Sequence, residues 1–382
     1  MVPTCFESSW PVNICVDTER QDYLGLEVFD YLVGYWQYAN DYQLTPTVIF
    51  GAPQPNSYNI LFLHMPNTVP DNLDQYDLVL LDNGDEPFGR GTAAMYQILD
   101  TVAHSRLLCN SILSTSHPMA PRVINSSIMW GTHRRYYTDP KFPQQYELNS
   151  GTEKHSIVFI NGRNSTSRRY WTEVLQHYAP EIPHHNDLHC GITNETLQCW
   201  HESLEDSEFR QAVNQKYTTG AVNNTPPEQR WPPLPAGVGG RYGATLFEDQ
   251  FIPAFREHKT IIYPETPWQN YQLSLNEKAL KCFLHQKFAM PVSGAGTHQL
   301  YADIGFKTAW HLLPPEHRGF DSIDNHFDRY QQQAQACEWL WQHPEVFQTA
   351  MAKQLLVDNQ AQCMLTSSQA GLELYNIINE NS

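Results

Sequence analysis

The sequence predicts a two-domain α/β protein, each domain Rossmann-like and built on a mostly parallel sheet. Three observations carry this reading. The chain has 382 residues, too many for one typical domain and enough for two cores of moderate size. Short, nearly continuous apolar runs recur at 59–65, 76–82, 155–160 and 260–263, as expected of strands covered on both faces. Each run ends in polar or glycine-bearing residues, and those at 76–82, 155–160 and 260–263 give way to helical periodicity. Such alternation implies a parallel sheet, with ligands bound at the carboxyl ends of its strands.

Composition narrows the class. The chain is 41% hydrophobic, 12% aromatic and 17% charged, which fits a folded protein and not a disordered one. Its 41 acidic and 24 basic side chains leave a formal net charge of -17, and such a surface repels phosphate backbones. Broad nucleic-acid binding is therefore not expected, although a local basic groove is compatible with that total. No apolar run approaches the roughly 18 residues a membrane-spanning helix needs. The first twenty residues show neither a basic leader nor a continuous apolar core, so the expectation is a cytoplasmic protein without a signal peptide. Eight cysteines stand at 5, 15, 109, 190, 199, 282, 337 and 363 with no CxxC pair, which suits reduced thiols. The sequons at Asn125, Asn164, Asn194 and Asn223 read as chance matches in such a chain.

Residues 1–150 form the first expected domain. The aromatic and apolar stretch Tyr23 to Tyr38 reads as a helix packed on a sheet. Asn59 to Met65 and Tyr76 to Asp82 are its clearest strands. Thr92 to His104 has helical periodicity with a threonine able to cap it. The runs Leu107 to Leu113 and Val123 to Met129 follow, and the polar, proline-bearing segment 132–150 reads as the connection. The strand ends carry His64, Asp82, Asp85 and Glu86, candidates for a general base that residue types alone do not separate.

The second domain is expected over 151–345, with further helices over 346–382. It opens with a strand from His155 into Asn161-Gly162-Arg163, then Ser165-Thr166-Ser167-Arg168-Arg169 and an amphipathic helix to Tyr178. Hydroxyls, basic side chains and backbone N–H groups at a helix start favour an anion, which arginine grips bidentately. Arg163, Arg168 and Arg169 compete for that role, against the alternative of solvated surface arginines. His184-His185-x-Asp187-x-His189-Cys190 holds five ligand-type side chains, but the spacing matches no closed zinc pattern. Asn223 to Gly243, with its prolines and glycines, reads as a long loop.

Thr260 to Trp310 is the most informative stretch. Thr260 to Tyr263 is a strand. Ser274-x-x-Glu277 matches a capping box that starts a helix. Phe288 to Val292 is a second strand, Gly294-Ala295-Gly296-Thr297 a tight turn, and His298 to Ile304 a second helix. Asn325 to His343, Pro344 to Asp358 and Ser367 to Ile378 are expected helices.

These residues resemble the donor-binding half of GT-B glycosyltransferases, most closely the fucosyltransferase and exostosin-like kind. The resemblance rests on Glu265, Asn270, Glu277-Lys278, Pro291-Val292 and Gly294, with the tail Leu300 to Thr308 similar to a segment of bacterial and viral members. It covers about fifty residues well and the 155–178 patch more weakly. It implies two domains flanking a cleft, and transfer of a sugar from a nucleotide diphosphate donor to an acceptor hydroxyl without cofactor or metal. It further implies donor phosphates at Arg168 and Lys278, with nucleotide ribose at Glu277 and sugar or base at Glu265 and Asn270. Each has a structural alternative: the capping box for Glu277, a surface lysine for Lys278, turn formation for Glu265 and Asn270. Gly294 and Gly296 either admit a ligand to the backbone or simply enter a helix. Thr266 follows Glu265 where fucosyltransferases have Asn. Two rivals are a non-catalytic nucleotide-sugar or glycan-binding protein of the same fold, and a metal-dependent hydrolase built on His184 to Cys190.

Overall fold

The computed structural model describes residues 12–16, 47–50, 52–64, 68–82, 93–103, 107–109, 112–116, 124–125, 155–161, 166–186, 257–265, 270–273 and 277–363. In chain order its elements are β1 (Val12–Val16), β2 (Thr47–Phe50), β3 (Tyr58–His64), β4 (Leu78–Asp82), α1 (Ala93–Thr101), β5 (Leu107–Cys109), β6 (Ile112–Leu113) and β7 (Ile124–Asn125). They continue as β8 (His155–Asn161), α2 (Thr166–Tyr178), β9 (His184–Asn186), β10 (His258–Pro264), β11 (Gln272–Leu273), α3 (Glu277–Leu284), β12 (Phe288–Val292), α4 (Thr297–Asp303) and α5 (His326–Gln342). A last helix, α6, spans 350–363. Contacts divide the chain into two compact units, one of Met1–Phe142, Gln272–Leu280 and Cys363–Ser382, the other of Pro143–Tyr271 and Lys281–Gln362.

In the first unit six strands lie in the order β2-β1-β3-β4-β5-β7, and every neighbouring pair is parallel. Cys15, Leu61, Leu63, Val79 and Leu81 fill one face with Ile98, Leu99 and Val102 against them, the period of two that pleating imposes. Tyr58 to Leu63 and Leu78 to Leu81 are buried throughout, which is why both read as continuous apolar runs. The strands β1 and β2 are additions to the sequence reading. The run expected over Leu107 to Leu113 breaks into β5 and β6, and β6 pairs antiparallel with β11, Leu113 opposite Gln272. The helix expected over Tyr23 to Tyr38 lies outside the described residues.

The second unit holds a parallel sheet in the order β12-β10-β8-β9. Ile157, Phe159, Ile262, Phe288, Met290 and Val292 share one face, packed by Trp171, Val174 and Leu175 of α2 and by Phe327, Tyr330, Ala334 and Cys337 of α5. Trp171 sits at its centre, fully buried, edge-on to Phe159 at 6.4 Å and to Tyr330 at 5.5 Å. Tyr263 belongs to the opposite face, where Phe283 stacks on Phe306 at 4.7 Å and meets Tyr301 edge-on at 5.8 Å. Coverage on both faces explains the unbroken burial of β12.

Local signals account for the helix ends. Asn325 accepts the N–H groups of Phe327 and Asp328 at 3.0 and 3.2 Å, capping α5. α3 ends in a Schellman turn: Gln286 takes φ 52°, its N–H donates to Phe283 O and that of Lys287 to Cys282 O. The helix expected over Pro344 to Asp358 instead begins as a 3₁₀ turn, Pro344–Gln348, before α6. Phe347, Ala352 and Leu356 enter the core around Trp171. Cys15, Cys282, Cys337 and Cys363 are buried. Among the described residues no helix is long and apolar enough to cross a membrane.

Candidate functional site at the strand ends of the second unit

Winding in this sheet reverses direction between β8 and β10. The chain steps from β8 to β9 on one side, then returns to place β10 on the other side of β8 and β12 beyond it. At such a switch point neighbouring crossovers leave in opposite directions and open a crevice at the carboxyl ends, the usual ligand position in open parallel sheets. The register puts Ile262 beside Phe159 and Pro264 beside Val292. The residues brought to that edge are therefore Asn161, Glu265 and Ser293 to Gly296.

Glu265 differs from its expected place on an open loop. β10 runs on to Pro264, the Glu265 N–H donates to Val292 O at 2.9 Å, and the side chain is 3% exposed. Its carboxylate lies close enough to Tyr263 and Cys282 to add to the upward push that burial gives both groups. Any ligand role is thus that of a buried acceptor at the sheet edge.

Asn270 and Tyr271 form the turn above it. Asn270 Oδ1 accepts the Ala295 N–H at 2.9 Å and Nη1 of Arg329 at 3.2 Å, while Nδ2 donates to the Asp324 carbonyl and carboxylate at 3.2 and 3.3 Å. Tyr271 holds φ 62°, rare for a side chain with a Cβ. Its N–H donates to Ala295 O at 2.5 Å and its hydroxyl to Asp324 Oδ1 at 2.8 Å. That hydroxyl bond is the main reason its pKa is raised.

The glycine turn is largely satisfied from within. Gly296 adopts φ 76° at the entry to α4, and a Cβ there would come within 2.8 Å of Tyr271 Cδ1. The close approach this glycine permits is made by the Tyr271 ring. Asp321 meets the start of α4, accepting from the N–H of His298 at 3.0 Å and of Gln299 at 2.9 Å, one on each carboxylate oxygen. Its backbone carbonyl accepts the Gly296 N–H at 2.5 Å. A resident carboxylate therefore already balances the positive end of this short helix. Burial raises the Asp321 pKa to about 6 against these bonds.

The remaining expected residues fall as follows. Asn161 ends β8, Arg168 is the third residue of α2 and Glu277 opens α3. Lys278 is half-buried on α3, and Lys281, three residues further along the same helix, is buried. In the first unit His64 and Asp82 end β3 and β4 in register with one another, beside the strand pair β1 and β3 where that sheet's own winding reverses. Arg163, Asp85, Glu86 and the segment Asp187 to Cys190 lie outside the described residues. His184 and His185 form the short edge strand β9, which accounts structurally for polar residues in that run. Among the described residues there is no group of three side chains fit to hold a metal. The sequence reading missed Arg329, Asp321 and the Tyr271 backbone. Arg329 had no signal, because an arginine in the first turn of a helix reads as solvated and its burial is a tertiary fact.

No family model matches the chain, and no curated protein matches it. Solved structures that resemble it include an α1,3-fucosyltransferase, at 10% identity and a TM-score of 0.36 over 94% of this chain and 85% of that one. The α1,3-fucosyltransferase with GDP-fucose gives 10% identity and a TM-score of 0.37 over 94% and 86%. An α,α-trehalose-phosphate synthase (UDP-forming) from Burkholderia vietnamiensis gives 12% identity and 0.35 over 93% and 79%. Superpositions this loose leave the functional argument to the residues themselves.

Proposed function

We propose that the protein is a glycosyltransferase of GT-B type that moves a sugar from a nucleotide diphosphate donor to an acceptor hydroxyl. The observation that carries this is the winding reversal between β8 and β10, at whose strand ends stand Glu265, Asn270 and the Gly294 to Gly296 turn. Those residues belong to the stretch that resembles the donor-binding half of such enzymes. In this reading the donor lies at that edge. The resemblance implies a diphosphate at Arg168 and Lys278 and a ribose at Glu277; of the strand-end residues, Asn161, Gly294 and Gly296 stand at that edge.

That Asp321 holds the N–H groups of His298 and Gln299 supports phosphates at the start of α2 over the start of α4. The acceptor oxygen forms its bond to the anomeric carbon as the bond from that carbon to the diphosphate oxygen breaks. The leaving nucleoside diphosphate takes the electron pair, and the hydroxyl proton passes to a general base.

Thermal-shift titration of the purified protein with nucleoside diphosphates and nucleotide sugars tests this. A ligand that binds only the native state at a hundredfold over its Kd stabilises by about 2.7 kcal/mol. One base is expected to raise Tm, with the rise lost in Lys278→Ala and Arg168→Ala. A folded protein that responds to none of them overturns the proposal.

A further inference from the structure

Arg329 lies on α5 with 1% of its surface exposed, and its guanidinium is fully engaged. Nε donates to Ser293 O at 3.0 Å, and Nη1 to Ile323 O at 2.6 Å, Asp324 O at 3.2 Å and Asn270 Oδ1 at 3.2 Å. Nη2 meets His326 Nδ1. Besides His326 on α5 itself, these acceptors come from three separate segments: the end of β12, the turn after β10 and the 3₁₀ approach to α5. None of the five is a carboxylate oxygen; the nearby charges of Asp321 and Asp324 act at longer range.

A buried guanidinium costs several kcal/mol in desolvation, and an apolar side chain of similar volume would often pack as stably. What it supplies instead is direction, since a rigid planar fork fixes several acceptors at set angles and an ammonium does not. The fork converges on Asn270. The Asn270 amide relays that position to Ala295 and Asp324, and the next residue, Tyr271, keeps its left-handed backbone over Gly296.

We propose that Arg329 is a positioning residue for ligand binding: acting through Asn270, it holds the 270–271 and 294–296 turns in the shape a donor meets at the strand ends. This rests on the donor site of the preceding section, whereas the clamp itself does not. The distinguishing experiment follows amide exchange and nucleoside diphosphate binding in the full chain, for the wild type, Arg329→Lys, Asn270→Ala and the double variant.

Arg329→Lys is expected to raise exchange at the Tyr271, Ala295 and Gly296 amides at least tenfold, leaving Ile261 to Tyr263 of β10 protected. It is expected to weaken the nucleoside diphosphate at least tenfold at matched folding. The double variant should bind no more weakly than Asn270→Ala alone, because both substitutions break one chain of contacts. A purely structural role would leave the two losses independent and multiplicative.

Wild-type exchange at the turns in Arg329→Lys overturns the clamp. Raised exchange with unchanged Kd overturns the role in binding. A wild type that binds no nucleotide overturns the donor reading, with the exchange result still deciding the clamp. If Arg329→Lys does not fold, Asn270→Ala carries the test, and unchanged exchange at Ala295 overturns the relay.

Discussion

The ring of Tyr271 lies against Gly296, so that a Cβ at Gly296 would sit 2.8 Å from Tyr271 Cδ1 and 3.4 Å from Cε1. Both residues hold positive φ, 62° and 76°, so two left-handed backbones and one close contact define a single locked turn. Strain of this kind persists only where surrounding bonds over-determine it. Here the Tyr271 N–H to Ala295 and its hydroxyl to Asp324 do so.

Gly296→Ala is expected to destabilise by about 1–3 kcal/mol, from the φ penalty and from displacement of the ring. Denaturant unfolding measures it. Combining it with Tyr271→Ala should recover the steric part and leave the backbone part. Full additivity of the two losses would show that the contact is loose.

Trp171 fills the middle of the second unit's core. Trp171→Ala should cost about 3–5 kcal/mol, and Trp171→Phe markedly less, since the edge contacts to Phe159 and Tyr330 survive in part. Equal losses in the two variants would mean that the site does not discriminate by volume.

Four imidazoles set the acid response. Burial is the first cause that holds His285 and His311 to about 4, and His298 and His326 to about 3, against an ordinary value of 6.5. Between those values the unfolded chain binds more protons than the native one, so their contribution is lost as pH falls below 6.5. Tm is expected to drop from pH 7 to pH 4, and His298→Gln to show a shallower slope. An unchanged slope would place His298 outside the transition.

Asp321 runs the other way. Its native carboxyl near 6 exceeds the ordinary 3.8, so the native state holds the extra proton and this contribution declines as pH rises through 6. Asp321→Asn weakens the cap on α4 by about 0.5–2 kcal/mol, and its deficit relative to the wild type should narrow from pH 5 to pH 7. A widening deficit would mean that the charged carboxylate is the favoured form.

Much of the second unit was legible in the residues. β8, β10 and β12 each hold an unbroken apolar run, Ile157 to Ile160, Ile261 to Tyr263 and Phe288 to Val292, because helices cover both faces, and that condition is written locally. Asn325 announced α5, and the Gly294 to Gly296 turn was found where glycine spacing placed it. β9 was not legible, because His184-His185-Asn186 has no strand composition and is ordered by pairing to β8 alone. β1 and β2 carry no such signal, because runs as short as Ile14 to Val16 and Val48 to Phe50 do not by themselves separate strand from loop.

The site divides along the same line. The sequence by itself determined which residue types stand at the strand ends, since the order of strand, loop and helix is local. Only the tertiary structure decided that Glu265 is buried, that Asp321 occupies the start of α4 and that Arg329 ties Asn270 to Ser293. Those contacts join residues between 22 and 59 positions apart. No local periodicity encodes such pairs, because they exist only once the parallel sheet has brought its strand ends to one edge.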